Sequence, residues 1–299
     1  MPELPEVHTT VADLQKILPG LKITGVWTNF KKMFRNGGFD NLKKEVAEEK
    51  ILGVKRRGKN ILINLSGNKT VLIHQKMTGH LLYGKWKTKR AVLPGEGEVK
   101  WQSAQAGPIK DDPMNRFIHV IFSLSGGKQL ALSDMRKFAK ILLSPTDKLN
   151  SLKDLNLGPD PFDKNFTLGK FSAIVKNSRG PIKKVLMDQT LIAGIGNIYS
   201  DEILWVAGVH PSKKAGDLRN GEVEKIYNAL KPVLKRAIKA RGTSSSDYRD
   251  VSGNKGKYQE MLYAYRLTGQ KCQRNDGGII TRIKVGGRSA HFCPVHQKL

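Results

Sequence analysis

The chain has 299 residues, with 52 Lys+Arg against 26 Asp+Glu and a formal net charge of +26. Each half, residues 1–150 and 151–299, holds 26 basic and 13 acidic residues. That excludes a basic tail on a neutral body and points to a polyanion clamped between two cationic lobes, against an RNA-binding or membrane-surface alternative. Hydrophobic residues make up 39%, enough for a core. Two cysteines exclude a disulfide framework and a self-contained four-cysteine zinc site. The opening MPELPEVHTT lacks the apolar core of a signal peptide, and no apolar run approaches membrane-span length. The expectation is an intracellular protein that is not secreted.

In chain order, Val7, Val11, Leu14 and Leu18 recur at helical spacing and predict a helix over 4–18, stopped by Pro19-Gly20. Short strand-like runs, several of them alternating, follow at 23–28, 51–55, 61–65, 71–74, 117–123, 129–133 and 138–143, separated by Gly58, Gly67-Asn68 and Gly126-Gly127. They predict an antiparallel sandwich or barrel. Residues 85–112 lack periodicity and read as a loop. Helices are expected at 166–176, 182–188, 197–207 and 223–240, the last kinked or split by Pro232. Residues 241–257, rich in Ser, Gly and Asp, are expected to be mobile, and 279–292 reads as a hairpin turning at Gly286-Gly287. The fold class is α+β. Its parts are a β-sandwich at 1–143, a linker at 144–158, a helical domain at 159–264 and a finger hairpin at 265–299.

Four places carry candidate chemistry. Removal of Met1 would make Pro2 a free secondary amine, partly unprotonated at neutral pH because α-amino groups titrate near 7.7–8.0. Such an amine attacks a sugar C1′ to form an iminium ion. Glu3 beside it could move protons, with Glu6 a helical turn further on, although acids suit a helix start for dipole reasons alone. Lys59, between Gly58 and Asn60, projects from a strand–strand turn, where it would hold a phosphate, donate a proton or lie in solvent. Gly194 and Gly196 precede a helix from Asn197, an arrangement in which backbone amides approach a phosphate. Arg288 follows Gly286-Gly287 in a stretch without acids from Thr281 onward, suited to a groove or a phosphate.

Together, MPELPE, RRGK, GIGNIY and GGRS in this order resemble the formamidopyrimidine-DNA glycosylase (Fpg/Nei) family over essentially the whole chain. HQKMTGH, DMRKF, LGPDP and LMDQ add to the match. The resemblance implies a sandwich lobe, a helix-two-turn-helix lobe and a finger. It also implies a bifunctional enzyme that excises an oxidised base and then nicks the strand by β,δ-elimination.

By the same resemblance Pro2 is the Schiff-base nucleophile, Glu3 the proton donor, and Lys59 and Arg288 serve the eliminations. Arg288 and Asn197 also hold phosphates. His74, Arg116, Arg136, Lys137 and Arg179 are the further DNA contacts expected. Met77, Arg136 and Phe138 fill the gap left by a flipped nucleotide. The implied partner is damaged double-stranded DNA, bound by a monomer, with no membrane and no cofactor needed for the chemistry. MPELPE and the base-capping-loop-like stretch GTSSSDYRDVSGNKGKY lean towards oxidised purines. The alternatives are a Nei-like pyrimidine enzyme and a catalytically silent damage-binding protein.

Two features depart from the family pattern. The finger offers Cys272, Cys293 and His296, with Asn275 or Asp276 where a fourth ligand would fall. Three good ligands do not close a structural zinc site, so a zincless finger is favoured over zinc on Cys272, Asp276, Cys293 and His296. Lys76 replaces the family's usual small residue and has no assigned role.

Overall fold

The computed structural model describes residues 1–89, 100–110, 112–149, 155–244 and 247–299. Two compact units emerge. The first gathers Met1–Pro2, Glu6–Asn150 and Arg241–Lys257; the second gathers Glu3–Pro5, Ser151–Ala240 and Tyr258–Leu299.

The chain opens with helix α1 (Leu4–Ile17), Pro5 lying in its first turn where a missing N–H costs nothing. In the first unit, β1 (Ile23–Thr28), β2 (Phe34–Arg35), α2 (Gly38–Val46), β3 (Ile51–Arg57), β4 (Asn60–Leu65), β5 (Lys69–His74) and β6 (His80–Gly84) follow. After them come β7 (Trp86–Lys89), β8 (Lys100–Ser103), β9 (Ile118–Leu124), β10 (Gln129–Ser133) and β11 (Lys140–Pro145). One sheet runs β1-β9-β10-β6 and the other β2-β11-β5-β4-β3. All neighbours are antiparallel except β2 against β11. Inward residues of both sheets, among them Ile61, Ile63, Ile73, Val120 and Leu132, join Val7, Leu14 and Leu18 in one core. This is the sandwich that alternation predicted.

Several short elements differ from the sequence reading. The 85–112 stretch is not wholly loop, because β7 and β8 form an antiparallel hairpin. Trp86 is buried there, and the ring of Trp101 meets that of Trp27 edge-on at 5.0 Å. Aromatic packing against Trp27 of the neighbouring sheet holds this hairpin, which polar composition hides. Helix α2 and strands β2 and β6 are additions. The buried Leu42 and Val46, four residues apart, were the available signal for α2. Strand β11 runs on to Pro145, paired with Lys69, into the stretch expected as linker. Part of that stretch, 150–154, lies outside the described residues.

In the second unit, α3 (Leu168–Lys176), α4 (Ile182–Met187), α5 (Asn197–Ala207) and α6 (Asn220–Lys239) surround an apolar cluster including Phe171, Leu186, Ile203, Leu230 and Leu234. Helix α6 continues through Pro232 rather than splitting. Its buried stripe of Ile226, Ala229, Leu230, Val233, Leu234 and Ala237 supplies the packing that offsets the lost backbone hydrogen bond. The unit ends in the hairpin β12 (Thr281–Val285) and β13 (Arg288–Phe292), turning at Gly286 (φ +55°) and Gly287 (φ +80°). Two successive positive φ values are what a two-residue hairpin turn requires.

Residues 241–257 were expected to be mobile. Their described residues instead make defined contacts within the first unit: the Tyr83 N–H donates to Val251 O at 2.7 Å, and the Arg241 guanidinium pairs with Asp250 at 2.7 Å and with Asp13. Asp250 also accepts from the N–H groups of Ser252 (3.0 Å) and Asn254 (2.9 Å), so a carboxylate organises the turn that composition marked as loose. Ser245 and Ser246 lie outside the described residues.

Candidate active site

Within the first unit, Pro2 is buried at the chain start and Lys59 occupies the tip between β3 and β4. The Arg56 guanidinium donates to Gly58 O at 2.9 Å and the Asn60 amide to Arg57 O at 3.2 Å, so the tip is braced from both sides. Lys59 is only 5% exposed, which is not the environment of a solvated turn lysine. Register pairs Asn60 with His74, and this brings Lys59 and His74 to one edge. Burial, joined by the charges of Lys76, Lys59 and Lys140, pushes the His74 imidazole down to about 3. It is therefore neutral at pH 7. Its Nδ1 accepts from the Lys76 N–H at 3.0 Å, which leaves Nε2–H as the donor. Lys76, at φ +54°, makes this turn through its backbone; burial and Lys140 lower its ammonium below the ordinary lysine range.

Two loops meet beside this edge. Asp134, fully buried, takes the Thr78 hydroxyl and the Arg136 N–H (3.2 Å) on one oxygen and the Ala139 N–H (2.7 Å) on the other. It thus fixes the Met77 turn to the 135–139 turn. Met77 and Phe138 stay 39% and 49% exposed. The Arg136 guanidinium stacks over the Phe138 ring at 4.6 Å and reaches Met77 Sδ at 3.1 Å. Three expected gap-filling side chains therefore stand together and unburied, two apolar and one cationic. Lys137 points over the Phe30 ring, and Arg116 stacks on Phe117 on the single-turn helix Pro113–Phe117. Glu6 is buried and accepts the Thr243 N–H at 2.7 Å.

The second unit shows why the glycine turn has its composition. Glu3 places its carboxylate on the N-terminus of α5, accepting from Ile198 N at 2.9 Å and Tyr199 N at 3.3 Å. A Cβ at Gly196 would lie 2.4 Å from Glu3 Cδ, and one at Gly194 (φ +99°) would lie 2.6 Å from Leu4 Cδ1. The sequence suggested that these glycines clear a path for phosphate. The structure uses them to admit the first residues of the chain, and the anion on these two amides is Glu3 itself. Gln189 shapes the same turn, donating to Met187 O (2.8 Å) and Ile195 O (2.7 Å) and accepting from Gly194 N (2.9 Å).

Beneath α5 lies a buried polar network not singled out from sequence. Lys183 Nζ donates to Asp201 Oδ1 at 2.6 Å, Ser200 Oγ at 3.0 Å and Asn197 O at 3.3 Å. Asp201 Oδ2 accepts from the backbone N–H of His291 at 3.0 Å and meets its ring Nδ1 at 2.8 Å. One carboxylate therefore joins α4, the Asn197 end of α5 and strand β13, which begins at Arg288. Glu202 accepts from the N–H groups of Tyr263, Ala264 and Tyr265 at 2.9–3.0 Å. Burial raises its carboxyl to about 7 against the pull of those amides. The only sequence signal for these groups was charge on the apolar face of a helix. Arg288 and Arg179 are exposed, Arg179 between α3 and α4.

In the finger, the ligand atoms of Cys272, Asp276, Cys293 and His296 all lie within 4.8 Å of one another. Cys293 Sγ is 3.5 Å from Asp276 Oδ2, Cys272 Sγ 3.7 Å from His296 Nδ1, and His296 Nδ1 2.6 Å from Asp276 Oδ2. The sulfur separations suit edges of a tetrahedron around one ion, and the residue types are zinc-ligand types. Among the described residues, no helix is long and apolar enough to cross a membrane.

Residues 1–141 match the family described as formamidopyrimidine-DNA glycosylase N-terminal domain, and 157–249 the formamidopyrimidine-DNA glycosylase H2TH domain. A formamidopyrimidine-DNA glycosylase of Pelotomaculum thermopropionicum is 42% identical over 300 residues, covering 100% of both chains. A Lactococcus lactis Fpg variant solved with Fapy-dG-containing DNA is similar at TM-score 0.85 and 33% identity, with 100% of both chains covered. The Lactococcus lactis Fpg with abasic-site DNA is similar at TM-score 0.84 and 33% identity, covering 99% of this chain and 100% of that one.

Proposed function

The chain belongs to the formamidopyrimidine-DNA glycosylase family and is a DNA-repair glycosylase, and on that premise we propose that it excises oxidised purines through a Pro2 Schiff base and then cleaves the strand. Removal of Met1 frees the Pro2 amine. Its lone pair forms the N–C1′ bond as the bond from C1′ to the base breaks, and the departing base takes its proton from water; Glu3 accepts the Pro2 N–H proton and returns it to the sugar oxygen as the ring opens to the iminium. The iminium then acts as electron sink. Loss of a C2′ proton breaks the C3′–O bond, and a second elimination breaks C5′–O. Lys59 and Arg288 supply the cations beside the departing phosphates, and Asn197 holds the adjacent backbone. Met77, Arg136 and Phe138 enter the space of the extruded nucleotide.

The observation that carries this reading is Glu3 seated on the first amides of α5. It anchors the residue after Pro2, so the nucleophile stands at a fixed point and not on a frayed terminus. A damage-binding protein without chemistry needs neither Pro2 nor this anchor. The partner is duplex DNA, and the chain acts inside the cell as a monomer.

The test is to incubate protein confirmed to lack Met1 with abasic-site duplex and borohydride. A covalent adduct, lost in Pro2→Gly, supports the assignment; no adduct from the wild-type protein overturns it.

The finger donors fit a tetrahedral ion, and Cys272, Asp276, Cys293 and His296 would hold it, which favours the metal-holding alternative over a zincless finger. Such an ion supplies structure to the hairpin and no step of the reaction.

A further inference from the structure

The segment 241–257 does more than close the chain between α6 and the finger. Thr243 N and the Tyr248 hydroxyl both grip Glu6, at Oε1 (2.7 Å) and at its carbonyl (3.2 Å). Glu6 lies in the first turn of α1, four residues from Pro2. A Cβ on Gly242 would press against the Glu6 side chain at 2.8 Å, so the approach is close. Through Glu6 the segment is tied to the start of α1, four residues from the Pro2 nitrogen that attacks C1′.

The far side of the segment is held by the excursion that follows β8. Arg249 Nε pairs with Asp112 Oδ2 at 3.2 Å, the side chains 11% and 3% exposed. The second Asp112 oxygen accepts the Met114 N–H at 2.9 Å. Gly253, at φ +86°, lies so close to Ile109 that a Cβ would meet its backbone nitrogen at 2.9 Å. Ile109 itself is buried with Trp86, Leu82 and Ile118. An ion pair this dry, fixed by further hydrogen bonds, acts as a rigid peg where an exposed pair would hold little.

We propose that the Asp112–Arg249 pair, with Ile109 packed on Gly253, is a positioning brace that presets the 247–257 segment as the wall against which the extruded damaged base is held. The inference rests on the assignment of Pro2 as nucleophile and on the likeness of this stretch to the family's base-capping loop. The brace acts on the base and not on the sugar. Its loss therefore slows base release while leaving elimination at a base-free site intact. Misplacing the base by about 1 Å costs on the order of 10- to 100-fold in rate.

The full-length protein is compared with Asp112→Asn, Arg249→Leu and Gly253→Ala. Asparagine still caps Met114, so Asp112→Asn leaves the short helix its acceptor. Single-turnover excision is measured on a formamidopyrimidine duplex, and strand cleavage on a pre-formed abasic duplex. The brace requires excision to fall about 10- to 100-fold with abasic cleavage within roughly twofold of wild type. Amide exchange across 247–257 should also quicken in Asp112→Asn. Unchanged excision in all three variants overturns it. So does a parallel fall of both activities with the melting temperature, which would mark a merely structural role. Failure of the wild-type protein to form the borohydride adduct would bring down the Pro2 assignment; the ratio of excision to abasic cleavage tests the brace alone.

Discussion

Replacing Lys183 by methionine keeps most of the side-chain volume and removes one charge from a site where Lys183 and Asp201 are both 0% exposed. Three acceptors lose their donor: Asp201 Oδ1 at 2.6 Å, Ser200 Oγ at 3.0 Å and Asn197 O at 3.3 Å. The Asp201 carboxylate keeps only its bonds to His291 and remains a buried anion without its cation. Breaking a buried pair from one side costs about 3–5 kcal/mol, which for a unit of this size is a fall of roughly 6–20 °C in its melting transition. Asp201→Asn should cost less, about 1–3 kcal/mol, because an amide oxygen still accepts from lysine while one His291 contact is lost. Calorimetry of both variants beside wild type checks the order. A shift in Lys183→Met below about 2 °C, or a larger loss in Asp201→Asn, would refute the view that this carboxylate is held by its lysine.

Glu3→Gln keeps an acceptor on the α5 amides but can neither take up nor pass on a proton. Base release should fall by about 10²–10⁴-fold with DNA binding retained in a filter or anisotropy assay. The fold holds His74 neutral with its pKa pushed down to about 3. Above pH 6.5 it contributes nothing to pH dependence. As pH falls from 6.5 towards 3, the unfolded chain binds a proton that the folded chain refuses, so stability drops by at most about 1.4 kcal/mol per pH unit. Denaturant melts from pH 7 to 4 should show a flatter decline in His74→Gln. If Lys59, Arg116, Arg136, Lys137, Arg179 and Arg288 each neutralise one phosphate, log affinity against log salt has a slope of roughly −5, and Arg288→Ala makes it shallower by about one. Metal analysis of the purified protein should find about one zinc per chain, lost in Cys293→Ser together with a lower melting temperature; metal-free protein with an unchanged melt would speak for a finger held by packing.

The sequence by itself determined much of this protein. The short apolar runs of β1, β4, β5, β9 and β10 and the 3.6-residue spacing of α1 and α6 are local, so each strand or helix can be recognised from its own residues. The motifs around Pro2, Lys59, Asn197 and Arg288 were legible for the same reason, as each occupies a turn or terminus whose glycines are visible in one dimension. Even so, a glycine announces a close approach without saying what approaches. Only the tertiary structure decided that Gly196 makes room for Glu3, 193 residues away in the chain, and that the anion on the α5 N-terminus is a side chain of the protein. Lys183, Asp201 and His291 were invisible because a buried charge has the same letter as a solvated one, and its partner is fixed by packing between elements. The same holds for Asp112 and Arg249, which lie in two stretches that read as loops. Sequence composition reports what each segment can do alone. The pairing of an acid in one loop with a base in another, 137 positions apart, depends on a core that places both in a dry environment, where unmatched charge is too costly to keep.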